Sequence, residues 1–265
     1  MHTERHQPSP PLRPALLGPI EGWAQTGGSC ARLREVPFPG VPLVFGLETA
    51  WRIEGPEGAG DEESFVAGLH AAPTFVQPRA GSWSCIELRL TPVAAHRVLG
   101  IPMHELTNRT VALADVVPET RELTDRLRDA KSWPARFALV EEFLVRRLAD
   151  APAPLREAAW SWHELRRTAG TAPIAALADD LGWSHRRLIA CFREQIGLAP
   201  KAAARVLRFD RAARALRAPE RGLAEVAYEC GYFDQAHMNR DFRAFSGTTP
   251  TAFRASLLAS GGIAA

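Results

Sequence analysis

The chain has 265 residues, 46% of them hydrophobic and 23% charged, the balance of an ordinary folded protein and not of a disordered tail or a coiled coil. Its formal charge of +2 sums two unlike halves, with net −3 over residues 1–151 and net +5 over residues 152–265. An acidic front and a basic rear imply two domains, the second facing a polyanion.

Cys30, Cys85, Cys191 and Cys230 are far apart and form no Cys-x-x-Cys pair, so neither a zinc site nor a disulfide framework is legible. Buried thiols in a reducing compartment are expected. No run resembles a signal peptide, and none approaches the about 18 apolar residues of a membrane span. A cytoplasmic protein with no membrane partner is the expectation.

Residues 1–28 are rich in Pro, Gly and His and are expected to be a flexible segment, poorly ordered at least as far as Pro14. From Ala31 to about Pro92 the pattern is strand-like. The clearest strand is Cys85 to Leu90, where Ile86, Leu88 and Leu90 alternate with Glu87 and Arg89. Shorter strands are expected at Val41–Phe45, Ala50–Ile53, Phe65–His70 and Thr74–Val76, with breaks at Gly55–Gly60, at Pro73 and at Pro78–Gly81. No helix-length connection separates them, which favours a small antiparallel sheet or barrel. After Pro92 the period becomes helical: Val93–Leu99, Pro118–Ala130, Pro134–Ala149 and Pro154–Arg167 each start near a proline, which a first helical turn accepts. Asp150–Pro154 reads as the linker between a domain at 29–151 and one at 152–258, followed by a tail at 259–265.

The rear half repeats itself. Ile174, Leu177, Ala178 and Leu181 make one apolar helix face ending at Gly182, and Leu188, Cys191 and Phe192 make the next. Some fifty residues on, Leu223, Val226 and Ala227 lead to Gly231, then Met238, Phe242 and Phe245. Two short helices across a tight Gly turn, made twice, are two helix-turn-helix units, at about 173–195 and 222–245. Ser184 and Asp234 stand where each second helix needs a cap. At about 100° per residue, Arg186, Ile189, Ala190 and Arg193 fall opposite Leu188, and Ala236, Asn239, Arg240 and Arg243 fall opposite Met238. These outward residues suit a major groove, with His185, Gln235 and His237 at the helix starts. A helix over 200–217 would hold the units at fixed spacing, as reading two successive grooves requires. Its arginines at 205, 208, 211, 214 and 217 step backwards by about 60° each time, so they wind around the helix; most are expected in solvent or paired with Asp210 and Glu220.

From Ile174-Ala-Ala-Leu-Ala-Asp-Asp-Leu-Gly-Trp-Ser184, Phe192-Arg-Glu194 and Gly197-Leu-Ala-Pro200 the chain resembles the AraC/XylS family of transcription regulators. Gly231-Tyr-Phe-Asp-Gln-Ala-His-Met-Asn-Arg-Asp-Phe242 with Gly247-Thr-Thr-Pro250 carries the likeness further, over about residues 170–255. The resemblance implies a seven-helix domain that binds promoter DNA and acts on RNA polymerase. Many relatives have Gln-Arg where this chain has Ile189-Ala190, which leaves thymine methyl contact there and guanine contact for Arg186. Gln235, Ala236, His237 and Arg240 match positions that approach DNA, with base and phosphate contact both open for Arg240.

The family's front domain usually senses a small molecule or mediates dimerisation. Residues 64–76, 83–90 and 92–100 look like the front domain of a less characterised AraC subgroup. Trp51, Phe65, His70, Phe75 and Trp83 are candidates for an effector pocket, with core packing as the competing reading. The expected fold is therefore α+β: a β-rich N-terminal domain with trailing helices, then an all-α domain with two helix-turn-helix units. No catalytic motif and no cofactor site is legible: His-Glu-x-x-His, Gly-x-Ser-x-Gly and a phosphate-cradling Gly loop with its Lys are missing. His70, His96 and His104 have no standard metal-ligand spacing, and Cys30 and Cys85 lack the Pro-Cys-His setting of an alkyl-accepting cysteine. The expected partners are double-stranded DNA, RNA polymerase, a small-molecule effector and a second copy of the chain. An effector sensor whose main role is small-molecule recognition coupled to DNA binding is the alternative function.

Overall fold

The computed structural model describes residues 1–259, with side chains through Leu257. The front half holds ten strands among the described residues: β1 (His2–His6), β2 (Ile20–Gln25), β3 (Leu33–Glu35), β4 (Val41–Gly46), β5 (Trp51–Gly55), β6 (Gly58–Glu62), β7 (Phe65–Ala67), β8 (Thr74–Pro78), β9 (Trp83–Leu90) and β10 (Thr110–Ala112). They form a six-stranded sheet in the order β1-β2-β9-β4-β7-β10 and a four-stranded sheet in the order β3-β8-β5-β6. Every pairing is antiparallel.

The strand sequences specify this layering. Alternate residues of the central strands serve two different cores: Leu43, Phe45, Val66, Ile86, Leu88 and Leu90 lie in one, Val44, Phe65, Trp83 and Cys85 in the other. A strand covered on both faces has to be apolar throughout, which is why β4 reads as an unbroken hydrophobic run. The first core is closed by α1 (Pro92–Leu99), α2 (Leu113–Val116), α3 (Thr120–Asp129) and α4 (Trp133–Asp150), which contribute Val98, Leu113, Leu127, Phe137, Val140 and Leu144 among others. Thr91 and Ser132 cap α1 and α4 through bonds from the amides of Ala94 and Ala135. The second core lies between the two sheets and adds Trp51 and Ile53 from β5.

Three expectations about the front half are corrected. Residues 2–25 are not a flexible segment. β1 pairs with β2 along its whole length, Leu12 and Leu16 are buried, and the Ser9 amide donates to Glu141 at 2.7 Å. The break expected at Gly55–Gly60 is the tip of a hairpin, where Gly55 pairs with Gly58 and the chain continues as β6. The strand expected to run to His70 stops at Ala67. Gly68 passes so close to the backbone of Leu106 that no side chain would fit, and Leu69 then turns into a different core.

That core belongs to the rear half, where seven helices follow among the described residues: α5 (Arg156–Arg167), α6 (Ile174–Asp180), α7 (His185–Gln195), α8 (Pro200–Ala215), α9 (Leu223–Glu229), α10 (Gln235–Ser246) and α11 (Pro250–Ala259). Leu177, Leu188, Phe192, Phe209, Val226, Met238, Phe242 and Phe245 fill its interior, and Phe209 meets Phe242 and Phe245 edge-on. Val36, Leu69, Ala71 and Val93 from the front half pack into the same cluster. Thr107 Oγ1 donates to the Gly197 carbonyl at 2.5 Å and Arg34 to the Ser246 carbonyl at 2.9 Å. The α10 end of the rear half is therefore bonded directly to the front sheets. Residues 260–265, most of the expected tail, lie outside the described residues.

Candidate nucleic-acid interface

Each helix-turn-helix begins with a short helix, α6 or α9, that ends on a glycine with positive φ: +61° at Gly182 and +77° at Gly231. That left-handed conformation reverses the chain, and only glycine adopts it without a steric penalty. The following helix then starts from a side-chain cap. Ser184 Oγ accepts from the Arg187 amide at 3.3 Å, and Asp234 Oδ1 accepts from the His237 amide at 2.6 Å.

The inner faces of α7 and α10 are fixed by burial of Leu188 and Phe192 and of Met238, Phe242 and Phe245. Periodicity then sends the other side outward. His185, Arg186, Ile189, Ala190 and Arg193 on α7 are exposed, as are Gln235, Ala236, Arg240 and Arg243 on α10. His237 and Asn239 are half-buried. His237 stands edge-on to Tyr232, and Asn239 Oδ1 is shielded from solvent with no hydrogen-bond partner in the protein. Arg187 lies 4.2 Å above the Trp183 ring, whereas Arg186 has no ion-pair partner among the described residues. The arrangement leaves one free guanidinium near the start of the first candidate recognition helix.

Helix α8 connects the two units, and its arginines are used in a way that sequence reasoning missed. Arg205 sends Nε and Nη2 to Asp241 Oδ1 at 3.1 and 2.7 Å, tying α8 to the middle of α10. Arg208 donates to the Gly170 carbonyl at 2.9 Å, tying α8 to the turn before α6. Arg214 pairs with Asp210 as expected, but the ion pair expected with Glu220 is not formed among the described residues. The missing signal is long-range: Asp241 lies 36 residues beyond Arg205, and nothing local to α8 announces it.

The aromatic set suggested as a pocket is distributed differently. Trp51, Phe65 and Trp83 pack together between the sheets, with Trp51 and Trp83 edge-on at 5.1 Å. His70 is buried and bonded to Thr74, and Phe75 lies under the Arg32 guanidinium at 3.7 Å. A cleft opens between the halves. It holds about 350 Å³, with Leu17, Phe38 and Arg89 on one side and Arg166, Leu207 and Arg211 on the other. Burial pushes the Cys191 thiol on α7 up to about 11 and raises that of Cys85 as well, so both stay protonated at neutral pH. Among the described residues there is no cluster of metal-ligating side chains and no helix long and apolar enough to cross a membrane.

Comparison with known proteins agrees with the rear domain. Residues 177–256 match the family model described as a helix-turn-helix domain. No curated protein sequence matches the chain significantly. Among solved structures, ToxT from Vibrio cholerae O395 bound to (E)-4-(8-methylnaphthalen-1-yl)but-3-enoic acid is similar over 97% of this chain and 100% of its own, with TM-score 0.50 and 8% identity, a likeness of fold. The DNA-binding domain of AdpA, a global transcriptional factor solved in complex with a target DNA, is 30% identical over 40% of this chain and 95% of its own, with TM-score 0.35. Through this domain the chain belongs to the AraC/XylS family of DNA-binding transcription regulators.

Proposed function

We propose that the chain is a sequence-specific promoter-binding regulator that lays α7 and α10 in two successive major grooves of one duplex. The observation that carries this is the pair of capped helices with exposed outer faces joined by α8, which is tied to α10 through the Arg205–Asp241 pair and to the turn before α6 through the Arg208 bond to Gly170. A rigid connector matters because consecutive grooves on one side of a duplex are about 34 Å apart, and a loose hinge would lose orientational entropy on binding both. On this reading residues 152–258 are the DNA-binding unit and 29–151 the regulatory domain. His185, Arg186, Ile189, Ala190 and Arg193 serve one groove, and Gln235, Ala236, His237, Asn239 and Arg240 the other. RNA polymerase is the partner that promoter action requires, and a second copy of the chain would extend the footprint to a second site.

Selection from random duplexes with the full chain is the test. An enriched site spanning roughly two helical turns per monomer is expected. Binding indifferent to sequence at moderate salt would refute the specific reading.

A second reading, that a ligand governs DNA binding through the front half, is favoured by the cleft between the halves. Its rear wall carries the Asp210–Arg214 ion pair and two further guanidiniums, Arg166 and Arg211, that have no ion-pair partner among the described residues, while Leu17, Phe38 and Leu207 offer apolar surface. That combination suits a small organic anion with an apolar body. Bound there, it would touch both halves and shift the population of their docked arrangement. Thermal-shift screening with aryl and alkyl carboxylic acids should show stabilisation that Arg211→Ala abolishes; no stabilisation across the panel would leave the front half a docking and assembly domain.

A further inference from the structure

The two helix-turn-helix units share a skeleton but differ by one residue in the turn. In the first, the Gly182 amide returns to the Asp179 carbonyl and the Trp183 amide to that of Ala178, and the next residue, Ser184, is already the cap. In the second, the Gly231 amide returns to Tyr228 and the Tyr232 amide to Ala227, but Phe233 intervenes before the cap at Asp234. Trp183 and Tyr232 occupy the same station and both pack against the core. Phe233 is the added residue and has no counterpart in the first unit.

Its ring has nothing to cover. The residue is 94% exposed, although its backbone is held in place by the amide bond to His237 Nδ1 at 3.5 Å and by the capped turn that follows. Scattered exposed hydrophobics are common, but this one is fixed immediately before the first turn of α10, next to the exposed Gln235 and Ala236. The first residues of a recognition helix are those that approach base edges, and the apolar feature displayed in the major groove is the thymine 5-methyl group. The exposed residues that follow Phe233 in the chain are Asp234, Gln235, Ala236 and Arg240, a mainly polar face, and the other exposed aromatic of this unit, Tyr228, belongs to α9. Chain order sets the ring beside the outer face of α10.

We propose that Phe233 is a specificity-determining residue that packs on a thymine methyl group in the groove entered by α10. The inference rests on the reading of α10 as a recognition helix. It adds to the second half-site an apolar preference at a position that no polar side chain would discriminate.

The test uses the full chain and the duplex it enriches from a random pool. Each thymine of that duplex is replaced in turn by deoxyuridine, which deletes only the methyl group. The wild-type chain should lose affinity at one thymine of the α10 half-site by about fourfold, the value of one methyl-sized group removed from water. Phe233→Ala should bind the unmodified duplex correspondingly more weakly, be indifferent to deoxyuridine at that position, and respond as wild type everywhere else. Phe233→Leu should restore part of the discrimination. The ring touches no core residue, so the melting temperature of Phe233→Ala should equal that of the wild type and a folding defect would not mimic the effect. Identical deoxyuridine profiles for wild type and Phe233→Ala would overturn the proposal, as would unchanged DNA binding with lost promoter activity, which would place the ring against a protein. Failure of the wild-type chain to enrich any sequence would instead overturn the recognition-helix reading beneath it.

Discussion

Replacing Arg205 by alanine tests whether α8 holds α10 in place. Asp241 is buried, its side chain 3% exposed, and its only ion-pair partner among the described residues is Arg205, whose own side chain is 39% exposed. Stranding a fully buried carboxylate costs about 3–5 kcal/mol, but a guanidinium open to water on one side means that solvent already screens part of the interaction. Asp241 Oδ2 has no hydrogen-bond partner in the protein, so nothing else compensates the charge. Arg205 also lies 5.0 Å from the Phe245 ring centroid, a contact worth about 0.5–1 kcal/mol. A loss of roughly 2–4 kcal/mol follows, to be read as a lower urea midpoint for the helical half by far-UV circular dichroism. Replacing both partners, Arg205→Met with Asp241→Leu, should recover most of it, since a well-packed apolar pair lacks the desolvation penalty. On DNA, Arg205→Ala should weaken protection of the α10 half-site more than that of the α7 half-site. A loss below about 0.5 kcal/mol, additive with that of Asp241→Leu, would refute the argument, because a pair that does not couple cannot be the brace.

Two other expectations are independent of the brace. His70 is buried, and desolvation holds its pKa down at about 4 against an ordinary 6.5. The unfolded chain therefore takes up the proton first, so the stabilising contribution is complete above about pH 6.5 and is lost as pH falls toward 4, about 3 kcal/mol in all. His70→Gln should flatten the difference in stability between pH 7 and pH 4.5; an undiminished slope in the variant would assign it to other groups. Arg186→Ala should relax preference at one or two base pairs of the selected site at a cost of about 1–3 kcal/mol, and a uniform loss across sequences would make Arg186 a phosphate contact.

The rear half was legible because its determinants are local. Gly182 and Gly231, the caps Ser184 and Asp234, and an apolar period of three to four residues all act within one or two turns, and the helices fall where those signals put them. The front half was less legible because its order comes from distant partners. Proline and glycine in residues 1–28 suggest a flexible arm, yet the segment is fixed by β2 against β9 and by Glu141, 132 residues from Ser9. Periodicity also reports which face a residue occupies without saying what lies opposite. Phe65 and Trp83 do share a face, but the second sheet, which carries Trp51, fills the space that a pocket would need. Leu69, read within a front-half strand, is buried in the core of the other half.

The same distinction bears on what the duplicated unit can recognise. Burial conserves the skeleton of the repeat, because Leu188 and Phe192 on one helix and Met238 and Phe242 on the other must meet one shared core. Nothing imposes the same constraint on the outward residues, and they have diverged: Arg186, Ile189 and Ala190 on α7 face Ala236, Asn239 and Arg240 at equivalent angles on α10. The turns diverge too, with Arg187 drawn back over Trp183 in the first and Phe233 pushed out in the second. Two structurally equivalent helices with unlike surfaces at equal angles cannot prefer the same bases, so the site bound by one monomer should consist of two dissimilar half-sites. The arginines that might have supplied a common sequence-independent grip are partly engaged within the protein, by Asp241 and the Gly170 carbonyl. On the proposed reading, discrimination by the outer faces of α7 and α10, more than net charge, decides where the chain binds.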